Sequence, residues 1–192
     1  MTILILGLVL FLGVHSVRIF ADDWRSATRA RIGENAWKGV YSLASLLGFG
    51  LIIYGFGLAR QTPEVIWTPP TGLRHLAALL VAIAFVFLTA AYVPRNGIKA
   101  KLHHPMVLGV KTWAFAHLLA NGKLHDIILF GAFLLWAVLD FRSARKRDAA
   151  AGAVYPAGTG AATAVTIVVG LVAFAAFAFG LHGPLIGVRP LP

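Results

Sequence analysis

Hydrophobic residues along this chain gather into long runs, and the polar stretches between them are short and mostly basic. Six runs reach, or nearly reach, the roughly 20 apolar residues that a helix needs to cross a hydrocarbon core. They cover residues 2–20, 38–59, 72–93, 105–121, 124–141 and 162–182. The pattern predicts an all-α, polytopic membrane helix bundle of about six transmembrane helices, a single domain over residues 1–192. The fourth run is the shortest and most polar. Asn121-Gly122 joins it to the fifth so closely that the two should form an antiparallel hairpin. Residues 149–162 (AAAGAVYPAGTGAA) are small and without periodicity, and read as a flexible linker. The first run begins at Met1 with no basic stretch before it and no small-x-small cleavage site behind it, so it reads as a retained span. Ser42, Ser45, Gly48, Gly55 and Gly57 in the second run, and the Ala and Gly of the sixth, predict close helix packing in lipid.

Composition agrees with a membrane chain. It is 59% hydrophobic and 12% charged, against about 25% charged in soluble domains. The absence of cysteine excludes disulfides, thiolate catalysis, iron–sulfur ligation and cysteine-based zinc sites. A net charge of +10 would suit nucleic acid only as a patch interleaved with aromatics, and the basic residues sit instead in caps between apolar runs. Nucleic acid is therefore not an expected partner. Arg25, Arg29, Arg31 and Lys38, then Arg95, Lys99 and Lys101, then Arg142, Arg145, Lys146 and Arg147 fill the odd-numbered loops, whereas the other side has Arg60, Arg74, Lys123 and Arg189. This bias predicts odd-numbered loops in the cytoplasm and both termini on the outer side. No G-x-S-x-G elbow, carboxylate pair within a span or phosphate-binding glycine loop supports nucleophilic or phosphoryl chemistry.

Ionisable residues inside the runs are the candidate chemistry, since each costs roughly 2.5–3.5 kcal/mol at a helix centre on insertion scales. His15 lies near the inner end of the first run, and Arg18 shares its helix face at i+3. They could serve as a metal ligand and a cationic partner for an acidic ligand group. Alternatively, Arg18 snorkels to headgroups while His15 bonds a neighbouring helix. His117 is twelve residues past Pro105, about 18 Å along the helix. Trp113 lies one turn earlier and Ala114 leaves room beside it, one wall of a flat aromatic pocket; an interhelical hydrogen bond is the simpler alternative. His104 precedes Pro105 at the positive end of the fourth helix, and Lys111 lies on nearly the same stripe. With His103 they could hold phosphate or carboxylate, or form a solvated interfacial cluster. His75, His125 and His182 lie at outer span ends and read as structural; Asp126 and Asp140 sit near the ends of the fifth run.

GVHSVR in the first run, GENAWKGVYSLASLLG entering the second and HHPMVLGVKTWAFAHLLANG through the fourth resemble the NnrU family of bacterial membrane proteins. The resemblance extends to about Arg147. NnrU proteins are associated with nitrite and nitric oxide reduction in denitrifying bacteria. They are similar to zeta-carotene isomerase, an integral membrane enzyme that binds haem b. The resemblance implies haem b as cofactor, His15 and His117 as its iron ligands, and His104 as a further motif histidine. Arg18, Trp113 and Lys111 join these as candidate cofactor contacts. Ala114 stands where the isomerase has a cysteine, so no ligand switch to sulfur is open, and His103 stands where arginine is common. Bis-histidine iron is chemically sensible. Its difficulty is depth: His15 lies about 8–10 Å from the inner boundary against about 18 Å for His117. Tilt could close that gap; otherwise His15 pairs with His104.

The expected protein is a multi-pass bacterial inner-membrane protein of the NnrU kind. Its partners are the lipid bilayer and an apolar small-molecule substrate, and its setting is nitrogen-oxide metabolism or redox-dependent polyene isomerisation. A non-enzymatic assembly or transport factor is the alternative. HHPMVLG also resembles a segment of membrane methyltransferases that binds S-adenosylmethionine, but their acidic and aromatic C-terminal motif has no counterpart after the fifth run.

Overall fold

Within lipid a backbone must satisfy its polar groups internally, so each apolar run becomes a helix. The computed structural model describes residues 1–190. In chain order the helices are α1 (Thr2–Phe20), α2 (Asp22–Ile32), α3 (Glu34–Ala59), α4 (Thr71–Tyr92), α5 (Gly97–Leu102), α6 (Pro105–Ala120), α7 (Leu124–Ala151), α8 (Gly160–Ala175) and α9 (His182–Ile186). A π-helical turn, Ala176–Leu181, joins α8 to α9. Among the described residues five helical runs are long and apolar enough to cross a membrane: α1, α3, α4, α7 and the continuous Gly160–Ile186. The sixth, α6, is apolar but has 16 residues, about 24 Å of rise.

Helix bounds depart from the apolar runs where charge ends a membrane crossing without ending a helix. The fifth helix continues past Phe141 through Arg142, Arg145, Lys146 and Arg147 to Ala151, where Gly152 closes it in the left-handed conformation. Arg, Lys and Ala are good helix formers, so nothing local stops the chain earlier. For the same reason residues 22–32, polar and basic, fold as α2 rather than as a loop. The stretch read as a flexible linker is a packed strap. Thr159 N bonds to Arg95 O at 2.8 Å, and Gly158 lies so close to the Gly97 backbone that a side chain would collide with it.

Side by side, the spanning helices stand in the order α3, α1, α7, α6, α4, α8. The α1–α3 seam is the tightest. A β-carbon on Gly7 would meet the backbone of Ile52 at 2.6 Å, one on Gly48 would meet Phe11 N at 2.7 Å, and Gly55 lies against the Leu4 backbone. Of the small residues expected to pack, Gly48 and Gly55 do so, while Ser42 and Gly57 face outward. Helices α3 and α8, the ends of the row, do not pack together, but Arg60 Nη1 donates to Ile186 O at 2.6 Å. Met1 and α9 thus lie at one end of the bundle, and the three groups of basic caps at the other. The α6–α7 turn is held from outside the row. Gly122 O accepts from Ile66 N at 2.8 Å and from Trp67 N at 3.2 Å, and Leu124 N donates to Glu64 O at 2.9 Å.

Candidate functional site

Helix α7 stands between α1 and α6, and three of its aromatic residues, one turn apart, step from one neighbour to the other. Phe130 stacks on His117 with ring centres 4.5 Å apart, and Trp113 meets its edge at 5.1 Å. Phe133 touches Trp113 of α6 at 5.6 Å and Phe11 of α1 at 5.9 Å. Trp136 lies edge-on to His15 at 6.1 Å. His15 itself stacks on Phe11 at 4.3 Å and faces Tyr41 of α3 at 5.3 Å. A continuous aromatic ladder therefore runs from His15 through Phe11, Phe133 and Trp113 to His117.

The two histidines share one local design. His15 Nδ1 donates to Phe11 O at 2.7 Å, and His117 Nδ1 donates to Trp113 O at 2.8 Å, each one turn back along its own helix. A proton held at Nδ1 by a carbonyl leaves Nε2 as the lone-pair nitrogen, which is how metal-ligating histidines are commonly prepared. Neither Nε2 has a hydrogen bond among the described residues. The donor set therefore suits iron at each position. The pair does not suit one iron in this arrangement. Their partners Phe130 and Trp136 are six residues apart on α7, about 9 Å of rise, and three rings lie between the imidazoles. Among the described residues no three His, Asp or Glu side chains gather into a metal site.

Their surroundings differ. His117 is half-buried between Trp113 and Phe130. Ala114, expected to leave a gap, is 0% exposed, so helix packing fills that space. His15 has aromatic neighbours on three helices, Phe11, Tyr41 and Trp136. Ser45 Oγ and Trp136 Nε1 are buried and find no hydrogen-bond partner among the described residues.

At the basic end the remaining motif residues are tied to one another. His104 Nε2 donates to Asp148 Oδ2 at 2.8 Å, and the Tyr155 hydroxyl donates to the same oxygen at 2.9 Å. Burial, and then the Asp148 carboxylate, push the Tyr155 phenol above its usual value, so it remains a protonated donor. The His103 ring lies flat on Tyr155, 4.1 Å between centres, and Arg145 Nη1 donates to His103 Nδ1 at 2.6 Å. His103 has φ 68° and ψ −51°, with His104 N bonded to Leu102 O at 2.8 Å. That is a γ-turn of the rare positive-φ form, strained for a residue with a side chain. It reverses the chain between α5 and α6, and Pro105 then opens α6.

His103 and His104, expected to hold an anion with Lys111 or to form a solvated interfacial cluster, are bonded to Arg145 and Asp148. Lys111 joins no ion pair or hydrogen bond among the described residues. Arg18 reaches Asp22 at 4.0 Å, and its carbonyl accepts from Arg147 at 3.4 Å. Asp140, half-buried, faces Arg147 at 3.9 Å. At the other end His125 is 2% exposed, edge-on to Phe56 and beside Asp126. His75 is exposed, and His182 Nδ1 donates to Val188 O at 2.6 Å.

Several residues of these sites escape a reading of the sequence. Phe130, Phe133 and Trp136 are ordinary apolar positions until α7 is known to stand between α1 and α6. Asp148 and Tyr155 lie in stretches that read as a basic cap and a linker. One available signal is that Ser45 and Trp136 each carry a polar atom inside an apolar run.

A family model described as NnrU protein matches residues 3–190, nearly the whole chain. No curated protein and no solved structure matches it.

Proposed function

The chain belongs to the NnrU family, and from that membership we propose a haem b-binding protein of the bacterial inner membrane, its basic end toward the cytoplasm. Its setting on this reading is nitrogen-oxide metabolism or redox-dependent isomerisation of an apolar polyene. The observation that carries the proposal is His117: an imidazole in the last turn of the apolar helix α6, its Nδ1 proton directed to Trp113 O and its Nε2 free, caged by two aromatic rings. A flat aromatic wall and a dry setting suit a macrocycle, and a carbonyl-anchored imidazole suits its iron. When bound, the haem supplies one-electron chemistry within the bilayer. The protein's own contribution is to hold the His117 ring against Phe130, fix its tautomer and exclude water. His15 would help to hold the same group only if Phe11, Phe133 and Trp113 left the space between.

The visible spectrum of the protein purified in detergent from haem-sufficient cells tests this. A stoichiometric Soret band, lost in His117→Ala, is expected. Retention of the band in His15→Ala means that His117 binds without it; loss in both variants means that the ladder opens to let them pair. A colourless, folded wild-type protein refutes the proposal.

A further inference from the structure

We propose that the corner between α1, α3 and α7 is a second, separate site, built to bind a hydroxyl group: a water molecule, or the alcohol end of an amphiphile. Ser45 Oγ and Trp136 Nε1 are the buried side-chain polar atoms with no partner among the described residues, and helix register brings both to the level of His15. Gly48 of α3 backs onto Phe11 of α1. Ser45 lies three residues from that contact and His15 four, about 4.5 and 6 Å toward the same basic end. On α3, Ser45 is two turns from Ile52, and on α7, Trp136 is two turns from Leu129. Ile52 and Leu129 belong to one packed cluster. Because α3 and α7 both pack on α1 and run in opposite directions, the same step along each carries Ser45 and Trp136 to one level of the bundle. The Tyr41 ring lies on the third side of His15.

The chemistry of the three groups selects the ligand. Trp136 Nε1–H can only donate. His15 Nε2 can only accept, because the proton sits on Nδ1 bonded to Phe11 O. Ser45 can do either. A ligand that satisfies the set must accept from the indole and donate to the imidazole, and a hydroxyl does both. An anion has no proton for His15, and an ammonium group has no lone pair for Trp136. A bare metal ion would find a single nitrogen. Orphaned polar groups in a buried site are normally completed by water or ligand, so two of them beside a free imidazole nitrogen mark a place for an occupant. The site needs no haem, but it depends on the proposed function in one respect: a haem held jointly by His15 and His117 would take the Nε2 that the hydroxyl needs.

Haem-free protein in micelles containing monoolein provides the test, through the indole region of its proton–nitrogen NMR spectrum. The chain has five tryptophans, and Trp136→Phe assigns the relevant peak. The expected result is cross-relaxation from the Trp136 indole proton to water, or to the carbinol protons of monoolein, which names the source of the hydroxyl. Ser45→Ala, a small change with little risk to folding, should shift that peak and weaken the cross-relaxation. Thermal melting gives a second readout. Removing a donor that holds a ligand lowers the midpoint, whereas replacing a true orphan with an apolar group leaves it level or raises it. A Trp136 indole proton with neither contact, unmoved by Ser45→Ala, overturns the proposal. So does a melting midpoint that stays level or rises in both variants.

Discussion

Two pairs of histidines in this molecule are built on opposite logic. His103 and His104 at the basic end are each tied through one ring nitrogen to a side chain of α7, His103 Nδ1 to Arg145 and His104 Nε2 to Asp148, and His103 also stacks on Tyr155. His15 and His117, inside the membrane, each give Nδ1 to a carbonyl of their own helix and keep Nε2 unengaged. In lipid, where an unpaired polar atom is costly, the free nitrogens are the ones that demand a reason. The basic-end pair has its reason on view. It holds the strap between α7 and α8 against the α5–α6 corner, and needs no ligand to do so. Histidine content alone would rank HHP as the site; a free nitrogen at an apolar position reverses the ranking.

The contrast breaks most sharply at Phe130, which is 7% exposed and supports both His117 and Trp113. Phe130→Ala should cost about 3–5 kcal/mol of stability and free the His117 ring to turn. Melting in detergent measures the first effect, and the width of the His117 ring signals in NMR the second. If His117 stays ordered at full stability, the cage is not what fixes it, and the embedded pair loses its claim to preorganisation.

Asp148→Ala tests the other pair, with a smaller effect. It removes the acceptor shared by His104 and Tyr155, so the strap at 152–159 should become sensitive to limited proteolysis while the melting midpoint falls by a few degrees. The ring signals of His15 and His117 should not move. A strap that stays resistant would mean that the Gly158–Gly97 contact and the Thr159–Arg95 bond hold it unaided. The basic-end cluster would then need another purpose.

How far these sites were legible beforehand follows from what carries each of them. The spans were legible because apolar length is a local property of the chain. The family and its histidines were legible as motifs. The order of helices was not, because it depends on which small residues let which backbones approach. Gly7, for example, is unremarkable in sequence yet sets the α1–α3 seam. Asp148 was hidden by distance, 44 residues from His104. Helix α2 and the long tail of α7 were missed for a different reason: hydropathy reports where a chain leaves the membrane, not where a helix ends.

The smallest expected effect bears on His103, and comparing two substitutions there isolates strain from contact. His103→Ala loses the stack on Tyr155 and the bond from Arg145 but leaves a β-carbon at φ 68°. His103→Gly loses the same contacts and releases the backbone, because glycine populates positive φ freely. A side chain in such a region costs about 1–3 kcal/mol, comparable with the 0.5–1.5 kcal/mol or so of an aromatic stack. Glycine should therefore melt close to the wild type, and alanine about 1–2 kcal/mol below glycine, although glycine is elsewhere the more destabilising of the two. If alanine proves the more stable, the turn is not held at positive φ in the membrane. His103 would then be free to leave Tyr155, and the division between histidines tied across the fold and histidines tied only to their own helix would no longer separate the basic end from the apolar runs.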